Sequence, residues 1–197
     1  CVLFALNSYV AQFQFNYNDS ISVIKLGNTL KFPWAGGINY AQFSELDYDY
    51  DGDMDLILLD RSNDQIRVFE HRIQGAAHSY QFNPYGDALF PSDVRYRMFL
   101  SDYNLDGKND LFTYGIGGVK VYRNAGNSGV GLQWILEKNL LYSDYNGMYM
   151  GLYVSSADIP AIVDVDGDAD LDILTFSIAG DHVEYHKNMS KELYGHC

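Results

Sequence analysis

Asp47-Tyr48-Asp49-Tyr50-Asp51-Gly52-Asp53-Met54-Asp55-Leu56 sets an acidic side chain at every second position around one glycine. The pattern returns as Asp102-Tyr103-Asn104-Leu105-Asp106-Gly107-Lys108-Asn109-Asp110-Leu111 and again as Asp164-Val165-Asp166-Gly167-Asp168-Ala169-Asp170-Leu171-Asp172-Ile173. Side-chain oxygens fall at positions 1, 3, 5 and 9 of all three segments. A hard divalent cation takes about 6 to 8 oxygens at about 2.3 to 2.6 Å, and a loop supplies them by curling so that alternate side chains point inward. The candidate ligands are Asp47, Asp49, Asp51 and Asp55, then Asp102, Asn104, Asp106 and Asp110, then Asp164, Asp166, Asp168 and Asp172. Position 7, held by Asp53, Lys108 and Asp170, contributes a backbone carbonyl, so even a lysine is admissible there. The implied cofactor is Ca2+, up to three ions with one per loop; ligand number and loop flexibility favour it over Mg2+.

Gly52 and Gly107 occupy position 6, where a sharp turn favours a residue without Cβ. Ala169 stands there in the third loop, and a left-handed alanine costs roughly 1 to 2 kcal/mol, so this loop is the weakest of the three candidates. An EF-hand shares the opening of the motif but needs a glutamate at position 12 and flanking helices. Leu58, Thr113 and Thr175 occupy that position and strand-like apolar runs follow, which excludes it. A plain Asp-Gly turn is the other alternative. Without a cation, however, five carboxylates in one turn repel one another.

The surroundings repeat too. Leu56 to Leu59, Leu111 to Tyr114 and Ile173 to Phe176 follow the loops, and turns at Arg61 to Asp64, Gly115 to Gly118 and Gly180-Asp181 come next. Second strands then alternate apolar and polar residues, with Ile66/Val68, Val119/Val121 and Val183/Tyr185 as the half-buried set. The loops begin 55 and 62 residues apart, a period typical of repeat architectures. Such a unit has room for about four strands of about 5 to 6 residues. Strands are expected to lead into the loops at Ile38 to Ser44, Arg95 to Leu100, and Met150 to Ser155 with Pro160 to Val163. Only Leu132 to Leu141 has a composition that would pass for a short helix. Sheets of this size bury their faces by stacking on neighbours.

On these loops and hairpins the chain resembles FG-GAP/VCBS repeats of integrin-like β-propellers, and from about Gln12 it is similar to VCBS-repeat proteins exported by Bacteroidetes-type bacteria. The resemblance implies carboxylates at positions 1, 3, 5 and 9 and a carbonyl at 7 around each ion. It also implies a propeller of which this chain supplies a part: an all-β, partial β-propeller of about three four-stranded blades spanning residues 12–197, each blade with a Ca2+-binding Asp loop. The chain is accordingly expected to be a portion of a longer protein.

Residues 1–11, Cys1-Val2-Leu3-Phe4-Ala5-Leu6-Asn7-Ser8-Tyr9-Val10-Ala11, read as the remnant of a secretory signal peptide cut after Ala11. A secreted or cell-surface location follows, where calcium suffices for weak loops with dissociation constants of about 0.1 to 1 mM. No stretch reaches the roughly 18 apolar residues of a membrane span. The net charge is −13, and the three loops hold 13 of the 26 acidic residues. With no basic patch to neutralise phosphates, nucleic acid is excluded as a partner. Two cysteines at the extreme ends define no disulfide framework.

Seventeen Tyr and 11 Phe invite stacking on an extracellular glycan or contact with a surface protein, with Tyr145, Tyr149 and Tyr153 as one cluster. His182 and His186 are expected to face solvent. No G-x-S-x-G elbow or H-E-x-x-H motif is present, and the paired carboxylates are already assigned to calcium. The expected role is a non-catalytic module for adhesion or surface recognition. The alternative is part of a polysaccharide lyase or other glycan-active enzyme built on a propeller, since one fold hosts both roles.

Overall fold

A computed structural model describes residues 15–195; the segment read as a signal remnant, Cys1 and Cys197 lie outside the described residues. The chain divides into two compact units, the first ending at Gly36 and the second beginning at Gly37. In the first unit, β1 (Ile24–Lys25) and β2 (Asn28–Thr29) form a hairpin. Its turn residues Leu26 and Gly27 have φ of +52° and +83°, as a tight two-residue hairpin turn requires. The Trp34 indole N–H donates to the Ile21 carbonyl at 2.9 Å.

The second unit is built of antiparallel sheets. Four strands in chain order make the first: β3 (Ala41–Leu46), β4 (Asp55–Asp60), β5 (Gln65–Gln74) and β6 (Ala77–Asn83). The second sheet has the same order, with β7 (Met98–Ser101), β8 (Asp110–Gly115), β9 (Gly118–Asn124) and β10 (Trp134–Lys138). A separate hairpin, β11 (Tyr142–Tyr145) with β12 (Met148–Gly151), precedes the third sheet. That sheet has three strands, β13 (Ala161–Val163), β14 (Asp172–Phe176) and β15 (Val183–His186), and a short helix α1 (Ser190–Tyr194) follows it. None of these sheets closes on itself. No helix among the described residues is long and apolar enough to cross a membrane.

Alternation of side chains along each strand decides which face is buried. Ile57, Leu59, Ile66 and Val68 of the first sheet pack with Met98 and Leu111 of the second, together with Phe90 and Val94 from the connecting segment. The opposite face of the second sheet offers Phe112, Val119 and Val121, which pack with Leu152, Val154 and Ile173 on the side of the third. The second sheet is therefore buried on both faces, and each such side chain contributes about 1.5 to 3 kcal/mol.

Three expectations change. The segment 132–141 is not helical: Trp134, Ile135 and Leu136 pair with Asn124, Arg123 and Tyr122, because an open strand edge outweighs weak helix propensity. Met150 to Ser155 does not lead into the third loop; β12 turns back on β11, and only the three residues of β13 pair with β14. Val183 and Tyr185 are exposed, at 56% and 46%. Their register sets them on the face of Leu174 and Phe176, while His186 lies opposite Ile173 on the inner face. The same positions in the first two sheets, Ile66/Val68 and Val119/Val121, touch the sheet or segment that follows.

Candidate metal centres

Each acidic segment connects the first and second strands of its sheet: β3 to β4, β7 to β8, and β13 to β14. Within each, the side chains hold the loop's own amides. Asp47 accepts the amides of Asp51 and Gly52, both at 3.1 Å. Asp102 accepts those of Asp106 and Gly107 at 3.1 and 2.7 Å, and Asp164 those of Gly167 and Ala169 at 2.7 and 3.0 Å. Position 3 then accepts from position 5: Asp49 from Asp51, Asn104 from Asp106, and Asp166 from Asp168, at 3.2 to 3.3 Å. Position 5 accepts from position 7 at 3.0 Å in every loop, on Asp51, Asp106 and Asp168. Such nested turns follow from short acidic side chains bonding amides close ahead of them.

Position 9 reaches further. Asp55 is 1% exposed and accepts the amides of Tyr48 at 3.1 Å and His71 at 2.8 Å. Asp110 takes those of Tyr103 and Asn124 at 3.0 and 2.6 Å; Asp172 takes those of Val165 and Asn188 at 3.0 and 2.8 Å, and the Tyr185 hydroxyl at 3.1 Å. Each of these carboxylates thus joins its loop to the third strand of the sheet or to the residues just past it. The first loop is also linked to the second sheet, since the Tyr50 hydroxyl donates to Asn124 Oδ1, at the end of β9, at 2.7 Å.

Every loop has two left-handed residues. They are Tyr50 and Gly52, Leu105 and Gly107, and Gly167 and Ala169, with φ between +59° and +96°. Ala169 is left-handed as its position requires, at +71°. The third loop puts its glycine at position 4 instead, so each loop carries one non-glycine residue in this region.

Oxygens of Asp47, Asp49 and Asp55 lie within 4.8 Å of one another, as do those of Asp164, Asp166 and Asp172. A cation with ligand distances of about 2.4 Å fits between oxygens separated by up to about 4.8 Å. Asp51 stands outside the first trio. In the second loop an amide, Asn104, replaces the middle carboxylate, and the Lys108 ammonium lies 3.6 Å from Asp106 Oδ2 and 3.4 Å from the Gly126 carbonyl. At position 7, Asp53 Oδ1 lies 3.3 Å from His71 Nδ1, and Asp170 Oδ2 accepts the Lys191 amide at 3.2 Å. Buried oxygens without a hydrogen-bond donor remain on Asp53, Asp168 and Asp170. The first two face nitrogen nonetheless, His71 Nδ1 at 3.3 Å from Asp53 Oδ1 and the Lys187 ammonium at 3.6 Å from Asp168 Oδ2.

Burial pushes the Asp55 carboxyl up to about 6, although the amides of His71 and Tyr48 pull the other way. It also raises Asp110, Asp170 and Asp49, the last with help from the neighbouring Asp51. Asp166 moves down because Lys187 bonds to it.

Sequence reasoning missed several residues at these centres: His71, Asn124 and Asn188 as amide donors, and Lys187 and Glu192 beside the third loop. The first three stand 14 to 16 residues after position 9, a recurrence visible in the sequence. His186 is half-buried rather than exposed: its Nδ1 lies 2.7 Å from Ser143 Oγ, and burial lowers its pKa. Tyr145 is engaged by the Tyr153 amide and by the His186 ring, while Tyr149 stacks on Tyr142 at 5.4 Å in the open.

No family model, curated protein or solved structure matches the chain.

Proposed function

We propose that the chain is a calcium-binding module of FG-GAP/VCBS type, part of a β-propeller, in which ions in the acidic loops hold successive sheets in a stack. One observation carries this reading: three segments far apart in sequence share the hydrogen bonds from positions 6, 5 and 7 to the side chains of positions 1, 3 and 5, at the same place in their sheets. Calcium at positions 1, 3, 5 and 9 would offset the repulsion that burial and crowding impose on these carboxylates. Repetition supports a structural role over catalysis, because equivalent centres serve each sheet alike. Phe176, Val183 and Tyr185 are exposed and Leu174 is half-buried on one face, which fits a further blade, since Ile57, Leu59, Ile66 and Val68 of the first sheet and Phe112, Val119 and Val121 of the second are covered on the corresponding faces.

Outside the cell, such a module serves adhesion or surface recognition. Tyr142 and Tyr149 on the β11–β12 hairpin, exposed at 54% and 76%, give an aromatic surface suited to a glycan or a partner protein. Calorimetry with calcium and with excess chelator tests the structural role. Melting should fall on calcium removal and recover on its return; an unchanged transition would contradict the proposal.

A further inference from the structure

Six arginines stand against 26 acidic residues in this chain. Three of them have carboxylate partners: Arg67 with Asp60, Arg72 with Glu70 and Arg123 with Glu137. Arg61, Arg95 and Arg97 have no carboxylate at ion-pair distance among the described residues, and these three lie together. Arg61 donates through Nε to the Tyr96 carbonyl and through Nη2 to that of Ala157 at 3.1 Å, while Arg97 donates to the carbonyls of Ser155, Asp158, Gly118 and Val154. Arg61 Nη1 and Arg97 Nε are buried with no acceptor, and the Arg61 charge opposes that of Arg97.

Arg95 is the exposed member. Its guanidinium lies over the rings of Tyr96 at 5.8 Å and Tyr114 at 5.6 Å. Tyr96 stands edge-on to Tyr114 at 4.9 Å, and the Arg61 guanidinium lies 4.7 Å from the centre of the exposed Tyr40 ring. Tyr96 has a φ of +62°, uncommon for a bulky side chain, and Asp64 holds it there by accepting its amide at 2.6 Å.

Topology sets this cluster at the end of the sheets away from the acidic loops: Tyr40 leads into β3, Arg61 follows β4, Tyr96 and Arg97 lead into β7, and Tyr114 is near the end of β8. A six-residue strand such as β4 spans about 20 Å. That exceeds the Debye length of about 8 Å at physiological ionic strength, so the charge of the loops is largely screened here. Asp60 and Asp93 are paired with Arg67 and Lys120, which leaves Asp64 and Asp158 beside three guanidiniums.

We infer that Arg95, flanked by Tyr96 and Tyr114, binds the carboxylate of a uronate-bearing oligosaccharide, with Arg61 and Arg97 supplying the surrounding positive field. A planar guanidinium held against two rings offers a fork matched to a carboxylate, and tyrosine faces suit the apolar side of a pyranose ring. The site extends the surface-recognition reading to a ligand class, yet needs neither calcium in the loops nor the β11–β12 hairpin.

Isothermal titration calorimetry of the full chain at fixed free calcium, with tetragalacturonate, its methyl ester and tetraglutamate as probes, tests this. Tetragalacturonate should bind saturably and at least about tenfold tighter than the other two. Arg95→Gln should weaken it by about tenfold or more and Arg95→Lys by less, with circular dichroism confirming that both variants fold. Should Arg95→Gln not fold, the ester and the lysine variant still decide. Equal affinity for acid and ester, equal or tighter binding of tetraglutamate, unchanged affinity in folded Arg95→Gln, or no binding of tetragalacturonate up to about 10 mM would overturn the site. None of these outcomes bears on calcium-dependent melting, so the loop reading stands or falls separately.

Discussion

The Asp55 carboxylate accepts the backbone amide of His71 at 2.8 Å, fastening the end of the first acidic loop to the middle of β5. Asp110 and Asp172 do the same with Asn124 and Asn188, so position 9 holds the sheet together before any ion is considered. Replacing Asp110 by alanine leaves the amides of Tyr103 and Asn124 without their acceptor in a buried place. The expected loss is about 2 to 4 kcal/mol, measured by urea denaturation in excess chelator. Asp49→Asn, at an exposed loop position, should cost under about 0.5 kcal/mol in chelator and weaken the protein only when calcium is present. Equal losses from both variants in chelator would contradict the fastening role.

Ala169 has a φ of +71°, and no glycine stands at position 6 of its loop. Ala169→Gly removes a left-handed strain of about 1 to 2 kcal/mol at some entropic cost to the folded chain, for a net gain of about 0.5 to 1 kcal/mol. Gly167→Ala, at a φ of +85° with open space where its Cβ would lie, should be destabilising by about 1 kcal/mol through backbone strain alone. Thermal melts of the two variants should move in opposite directions.

Arg97 is fully buried and donates to four backbone carbonyls: Ser155 at 2.6 Å, Asp158 at 2.8 Å, Gly118 at 2.9 Å and Val154 at 3.2 Å. It ties the second sheet to the segment leading into the third. Burial lowers its pKa to about 10, which leaves it charged at neutral pH. Arg97→Met should cost about 3 kcal/mol, since the carbonyls lose charged donors. Arg97→Lys should recover only part of this, because a compact ammonium cannot span four acceptors as a planar fork does. Chemical denaturation of the two variants checks the order.

Asp60 anchors the turn between β4 and β5. It accepts the Ser62 hydroxyl at 2.6 Å, the Ser62 amide at 3.1 Å and the amides of Asn39 and Tyr40 at 3.1 and 3.3 Å. The Ser62 hydroxyl and amide lead in holding its pKa down to about 2, below the unfolded value of about 3.9. The folded state therefore favours the charged form. Its contribution is complete above about pH 4 and disappears as pH falls through about 2. Asp60→Asn should be less stable than wild type at pH 5, and the gap should close toward pH 2; a gap independent of pH would contradict the assignment.

The loops and the hairpins after them were legible because spacing alone encodes them: alternate oxygens around a glycine, then apolar residues with period two. What spacing does not encode lay hidden. The left-handed position 4 was masked by Tyr50 and Leu105, residue types that do not advertise such a conformation. Strand β10 was decided by the open edge of β9, not by its own composition. The exposure of Val183 and the burial of His186 both depend on which neighbour covers each face of the third sheet. Glu192 and Lys187 reach the third loop only because the chain turns after β15, a contact without local signal.

The most direct test of the central claim is a calcium titration followed through the backbone amide resonances of Gly52, Gly107 and Gly167, which donate to the position 1 carboxylates Asp47, Asp102 and Asp164. Saturable shifts of all three with calcium, but not with sodium at equal ionic strength, are the expected result. Resonances that stay in place up to about 10 mM calcium, well above the weakest range of about 0.1 to 1 mM for extracellular loops, would contradict it.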